Sequence, residues 1–261
     1  MGSSKSKFVI DLPSECQKYR TIINHTVRHK LFAKENDNLK KLIDDYIYFY
    51  NTNIRNKQNP GFEVKNIDIE AIWSVHKLHP LIYSKNSEIT AKWLLAACLR
   101  QYTFCVKIYP LIHNYNYNKW IKSYKSFLKL CKKNPSKIIV PTAIQDFMWH
   151  SHMQDHSSYV SDTTTYIGHI LDHDDNIPDD ELKKYTKETE FLKKKIKYDD
   201  SNTSSCVTPV VIATCGSGGC DSTCGGGCDS GGGGCDSSCG GGGGCGGGGG
   251  GEESKECLHG C

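Results

Sequence analysis

The 261 residues suffice for one large domain or two small ones, and the formal net charge is +3. No stretch approaches 18 uncharged apolar residues and the N-terminus has no apolar signal core, so neither a spanning helix nor a secretory leader is expected. The averages conceal two materials joined near residue 199. Beyond residue 200 lie 22 of the 25 glycines and ten of the 14 cysteines, with six acids against one base, a net −5. The remainder carries 31 bases and 23 acids, a net +8. A basic body with an acidic tail favours anionic partners for the body, with membrane phospholipid and nucleic acid as the two classes. A cytoplasmic chain with largely reduced thiols is the expectation. Lysine outnumbers arginine 28 to 4, the bias of an A/T-rich genome.

Met1-Gly2-Ser3-Ser4-Lys5-Ser6 fits the N-myristoylation pattern M-G-x-x-x-[ST], with Gly2 as the acylated residue. The run MGSSKSK resembles the start of the Src-type tyrosine kinases, which implies acylation and nothing about kinase chemistry. A single myristoyl chain binds membranes only marginally, so a second signal is expected. Lys5 and Lys7 supply some of it at about 1 kcal/mol per basic residue near an anionic leaflet, the +8 body adds more if its lysines face the membrane, and palmitoylation of a tail cysteine is the other candidate. Residues 1–10 are expected to form a flexible arm.

The body, residues 11–198, reads as all-α, about seven helices in one domain. Between residues 14 and 33, Tyr19, Ile22, Ile23, Val27 and Leu31 recur at helical spacing. Leu39, Leu42, Ile43, Tyr46, Ile47, Tyr50 and Ile54 make a second stripe, stopped by Asn59-Pro60-Gly61. Ile89 to Phe104 is apolar nearly all round and predicts a buried central helix. Trp120, Tyr124, Phe127, Leu128 and Cys131 form a further stripe ended by Asn134-Pro135. Ile138-Ile139-Val140 is a short strand-like run. The last helix begins at Pro178, with Asp179, Asp180 and Glu181 first and Lys193, Lys194, Lys195 and Lys197 last, complementing its dipole.

An internal two-fold echo runs through this body at an offset of 76 residues. Glu70, Trp73, His76 and Tyr83 align with Asp146, Trp149, His152 and Tyr159, and Asn86 falls opposite Asp162. On a helix, the acid, Trp and His at steps of three lie within about 120° of one face. Pro80 should end the first helix near His79, leaving Tyr83 to reach back from the following turn. Two copies facing a common interior would place Trp73 and Trp149 in the core.

At these residues the chain resembles the glycine-rich domain-containing proteins of plants and fungi. Their repeats run as D-x-x-W-x-x-H-x-L-H-P-x-x-Y and V-P-T-x-x-x-D-x-x-W-H-x-H-M-x-x-x-x-Y-x-x-D. Here they read as Glu70 to Tyr83, and as Val140-Pro141-Thr142 through His150, His152, Met153, Tyr159 and Asp162. Gly168-His169 and His173-Asp174-Asp175 fit the continuation, and the resemblance covers roughly residues 10–198. The first copy departs by carrying Ser74 where the second has His150, and Glu70 in place of Asp. The resemblance implies a domain type associated with stress responses and development, and no defined chemistry.

His152 and His156 stand at i, i+4, the spacing that grips zinc from one helix face, and His169 and His173 repeat it. The competing reading is a structural network in which each His bonds the preceding acid of its own copy, Asp146 to His152 and Glu70 to His76. No H-E-x-x-H frame supplies a water-activating base, so catalysis is not expected. His25, His29 and His113 read as ordinary residues. In the tail, residues 199–261, polyglycine cannot offset its conformational entropy and predicts disorder. Its cysteines recur at steps of four and never as a C-x2-C knuckle, leaving metal capture, lipidation, cross-linking or a plain linker open. The leading expectation is a non-enzymatic, myristoylated peripheral membrane adaptor with unknown protein partners. A metal- or redox-handling protein and an RNA-associated protein are the alternatives, the last disfavoured by the absence of aromatic-basic RNP-like segments.

Overall fold

The computed structural model describes residues 8–55, 64–85, 88–113 and 116–195, and their regular structure is entirely helical. The first helix, α1 (Leu12–Arg28), has Pro13 in its opening turn, where the missing N–H leaves nothing unbonded. Its buried face is Leu12, Cys16, Tyr19, Ile22 and Ile23. Leu31 falls beyond its end, because Lys30 turns the chain at φ 51. The Asn36 side chain accepts from the Leu39 N–H at 2.9 Å and so caps α2 (Asp37–Phe49). A π-helical stretch, Tyr50–Arg55, then carries Tyr50 into the core. The expected stop at Asn59-Pro60-Gly61 lies outside the described residues.

The chain continues through α3 (Ile67–Lys77), α4 (Pro80–Ser84), α5 (Ala91–Ile108) and α6 (Tyr117–Lys133). It closes with α7 (Ala143–Gln154), α8 (His156–Ile167) and α9 (Asp179–Lys195). The described residues thus hold nine α-helices where about seven were expected. Two breaks account for the excess. Pro80 cannot continue α3 and instead opens α4. Asp155 leaves helical geometry and its carboxylate accepts from the Ser158 N–H at 3.2 Å, starting α8 afresh. Ile138–Val140 is irregular; the Val140 N–H donates to Thr189 Oγ1 of α9 at 3.0 Å.

The central helix is α7, not α5. On α5 one face is buried, through Leu94, Ala97, Cys98, Phe104 and Ile108, while Val106 is 45% exposed. On α7 every residue from Gln145 to Gln154 is buried. It packs against α1, α3, α5, α6 and α8. Phe147, Met148 and Met153 are wholly covered, worth about 1.5–3 kcal/mol each. Half of this helix is polar, which is why apolar periodicity points elsewhere.

The arm expected over residues 1–10 is tied down from Phe8 onward. Phe8 packs on Tyr124 and His152, the Val9 N–H donates to both Asp162 oxygens at 3.0 and 3.1 Å, and Ile10 is buried. Gly2 and the tail, residues 199–261, lie outside the described residues. No helix among the described residues is long and apolar enough to cross a membrane.

Candidate functional site

The two echoes build one scaffold twice. In the first, the Tyr46 hydroxyl of α2 bonds His76 Nδ1 at 2.7 Å, and Trp73 Nε1 donates to the Tyr83 hydroxyl at 3.0 Å. In the second, the Tyr124 hydroxyl of α6 bonds His152 Nδ1 at 3.0 Å, and Trp149 Nε1 donates to the Tyr159 hydroxyl at 2.8 Å. Phe49 stands against Trp73 as Phe127 stands against Trp149. The tyrosine partners on α2 and α6 extend the repeat N-terminally at an offset of 78, and nothing in the echo motif itself marks them. Trp149 is buried, whereas Trp73 is only partly so and carries Lys77 Nζ 4.0 Å over its ring.

The acid–histidine pairs differ from expectation. Asp146 and His152 are six residues apart, about 120° round the helix, and each finds another partner. Asp146 Oδ1 lies 3.3 Å from Nε2 of His150, one turn on, while His152 Nε2 lies 3.2 Å from Asp162 Oδ2. Glu70 is half-exposed, and His76 uses Tyr46 instead. Burial, reinforced by the nearby cationic forms of His79, His156 and Lys77, pushes His76 down to about 3. Burial works to raise Asp162, but the His152 hydrogen bond and the Val9 N–H carry it below the usual carboxylate range.

The four histidines marked for metal do not assemble. The i, i+4 logic of His152 and His156 presumes one continuous helix, and the chain breaks between them at Asp155. His156 Nε2 instead meets Ser84 Oγ at 2.9 Å. His169 is exposed on the irregular segment 168–178, and only His173 joins a cluster. That cluster is Asp146, His150 and His173, with one ligand atom of each lying within 4.8 Å of the others.

The segment carrying His173 is held at two points. Gly168 ends α8 at φ 106, a left-handed turn that suits glycine. The Tyr159 hydroxyl donates to the Leu171 carbonyl, and Arg100 of α5 donates to Asp175 Oδ1 at 3.0 Å. His173 is thereby set with Nε2 3.0 Å from His150 Nε2 and its ring edge-on to Trp149. Behind His150, Nδ1 reaches the Tyr19 hydroxyl at 3.2 Å, which accepts from Gln101 Nε2 at 2.7 Å. Burial pushes His173 down to about 3 and lowers His79. It also works to raise Asp146, but His150 and His173 draw that carboxyl below its ordinary value. A cavity of about 240 Å³ opens beside the cluster, with Phe104, Phe127, Ile139 and Leu171 among its apolar walls.

A second surface lies on α6, which has no acidic residue. Lys122, Lys125, Lys129, Lys132 and Lys133 are exposed along one side, Lys119 extends the row half-buried, and none is ion-paired among the described residues. Lys125 Nζ sits 5.0 Å over the Phe8 ring. The described cysteines, Cys16, Cys98, Cys105 and Cys131, are buried thiols pushed up by that burial, and so are poor nucleophiles.

Fold and motif together define an all-α module built on a duplicated Trp–His–Tyr scaffold. Residues 84–162, from the end of α4 to Asp162, match the family model described as glycine-rich domain-containing protein-like, and the chain is similar to that family through this segment. The first echo, Glu70 to Tyr83, lies outside the matched residues, a shorter span than the 10–198 expected. Glycine-rich domain-containing proteins 2 and 1 of Arabidopsis thaliana are 41% and 38% identical to it over 63 residues. Each alignment covers 23% of this chain and 8% of the relative, so the match spans less than a tenth of either plant protein. No solved structure matches.

Proposed function

We propose that the protein is a peripheral membrane adaptor, held on an anionic leaflet by a Gly2 myristoyl chain and the lysine face of α6. The helical body and the Gly/Cys tail are then left to engage protein partners. The carrying observation is where the arm meets the body: Phe8 packs beside Lys125 in the middle of that lysine row. Six residues of extended chain reach about 20 Å. An acyl group on Gly2 can therefore lie no farther than about 20 Å from Phe8, less than the length of α6, about 25 Å. One myristoyl chain alone is marginal, and several unpaired lysines at about 1 kcal/mol each supply the second signal.

Two measurements test this. An alkyne myristate analogue should label the wild type in cells and leave Gly2→Ala unlabelled; an unlabelled wild type removes the tether. Acylated protein should co-sediment with phosphatidylserine-containing vesicles, and Lys122→Ala, Lys125→Ala and Lys129→Ala together should weaken that about 100-fold, the sum of three such contributions. Binding indifferent to those changes removes the lysine face. Tighter, salt-sensitive binding to single-stranded RNA than to vesicles would favour the RNA-associated alternative.

A further inference from the structure

The geometry points to a divalent transition-metal site of the zinc class at Asp146, His150 and His173, with an open coordination position facing the cavity. Three potential ligand atoms converge there: His150 Nε2, His173 Nε2 and Asp146 Oδ1. Their separations are 3.0, 3.3 and 3.9 Å. Zinc bonds of about 2.0–2.1 Å in a tetrahedron put ligand atoms about 3.3 Å apart, so the triangle already has the size of one tetrahedral face.

The charges agree with the spacing. Asp146 is a buried carboxylate whose ion-pair contacts among the described residues are two imidazoles and no permanent cation. A buried charge without a cation is costly, and a divalent ion at the centre of the triangle would offset it. With two neutral imidazoles, at most one proton can lie between the facing nitrogens, whereas a metal accepts both lone pairs and the carboxylate together.

The surroundings have the form of a supported site. His150 is backed by the Tyr19 hydroxyl and, through it, Gln101, the kind of outer contact that orients a ligating imidazole. His173 is placed by the Tyr159 and Arg100 bonds to its own segment. Two protein nitrogens and one carboxylate leave a fourth position, and the cavity of about 240 Å³ offers a path and room for water or a small ligand. The first echo has Ser74 opposite His150, so only the second copy can make this set.

Cobalt(II), whose visible absorption reports coordination, is the probe, with zinc as competitor. The protein is the full chain with its ten tail cysteines, Cys206 to Cys261, changed to serine so that tail thiols cannot bind. Expected are one equivalent of cobalt retained through dialysis, the absorption of a four- or five-coordinate site without thiolate, and displacement by zinc. His173→Ala, on an irregular segment, and Asp146→Asn should each weaken binding more than about 100-fold, above what outer-contact changes cost. His152→Ala, in the separate Tyr124 network, should leave affinity within a few-fold, and circular dichroism confirms that each variant is folded. Absence of a retained equivalent, or affinity unchanged in folded His173→Ala, overturns the site and leaves a hydrogen-bonded histidine pair only. Neither result depends on Gly2 or the lysine face.

Discussion

The two echoes share a Tyr–His bond, a Trp–Tyr bond and a Phe–Trp contact, yet among the described residues only the second gathers a carboxylate and two imidazoles into one cluster beside them. In the first, Tyr83 ends its work at Trp73. In the second, Tyr159 accepts from Trp149 and also donates onward to the Leu171 carbonyl, so the same scaffold fixes the segment that brings His173 to His150. Ser74 and half-exposed Glu70 stand where the second copy has buried His150 and Asp146. One scaffold therefore serves packing in the first copy, and packing plus the placement of a carboxylate and two imidazoles in the second.

That contrast is easiest to break at the tryptophans. Trp149→Ala should cost about 3–5 kcal/mol by urea denaturation, through a cavity beside Phe127 and His173. Trp73→Ala, at a partly exposed ring, should cost clearly less; equal costs would mean the copies are mechanically equivalent. The tyrosines sharpen the point at smaller scale. Tyr159→Phe removes an acceptor from Trp149 and a donor from Leu171, about 2–3 kcal/mol, whereas Tyr83→Phe removes one such bond, about 1 kcal/mol.

A pH dependence should separate His76 from its surroundings. Its folded pKa, about 3, lies below the ordinary 6.5, so the unfolded chain binds the extra proton between those values. Its contribution is complete above pH 6.5 and is lost as pH falls towards 3, at up to about 1.4 kcal/mol per pH unit. The ring is enclosed by Tyr46, Tyr50, Tyr83 and Trp93, with Lys77, His79 and His156 as the nearby basic groups. His76→Gln should flatten the acid limb of the stability curve by about one proton; an unchanged slope would show that the imidazole is not held neutral. The smallest expected effect is on α6, where Lys122→Ala, Lys125→Ala and Lys129→Ala together should move stability by only a few tenths of a kcal/mol each while changing vesicle binding.

The helical character of the body was legible because stripes such as Leu39–Ile43–Tyr46 and Trp120–Tyr124–Phe127 bury one face of an amphipathic helix. The central helix was not. Gln145, Asp146, His150, His152 and Gln154 read as surface residues by type, and only tertiary contacts with Tyr19, Tyr124, Ser123 and Ser74 make them interior. The metal spacing failed for a local reason: the carboxylate of Asp155 competes for the backbone and ends the helix that His152 and His156 were assumed to share. The Asp146–His150 pair at i, i+4 was visible in the sequence, and its facing on one side of α7 was the available signal. His173 could not be placed, because its position depends on bonds from Tyr159 and Arg100 to an irregular segment.

The most direct test is to make the second copy carry the first copy's residue. His150→Ser gives both echoes serine at that position; it removes the Tyr19–His150 bond but touches neither Trp–Tyr bond nor the Tyr46–His76 and Tyr124–His152 bonds. Cobalt titration of the tail-serine chain, followed by its visible absorption, should show one bound equivalent in the parent and none in His150→Ser, with helical circular dichroism unchanged. Equal cobalt affinity in the two folded proteins would contradict the division between a packing copy and a ligand-bearing one.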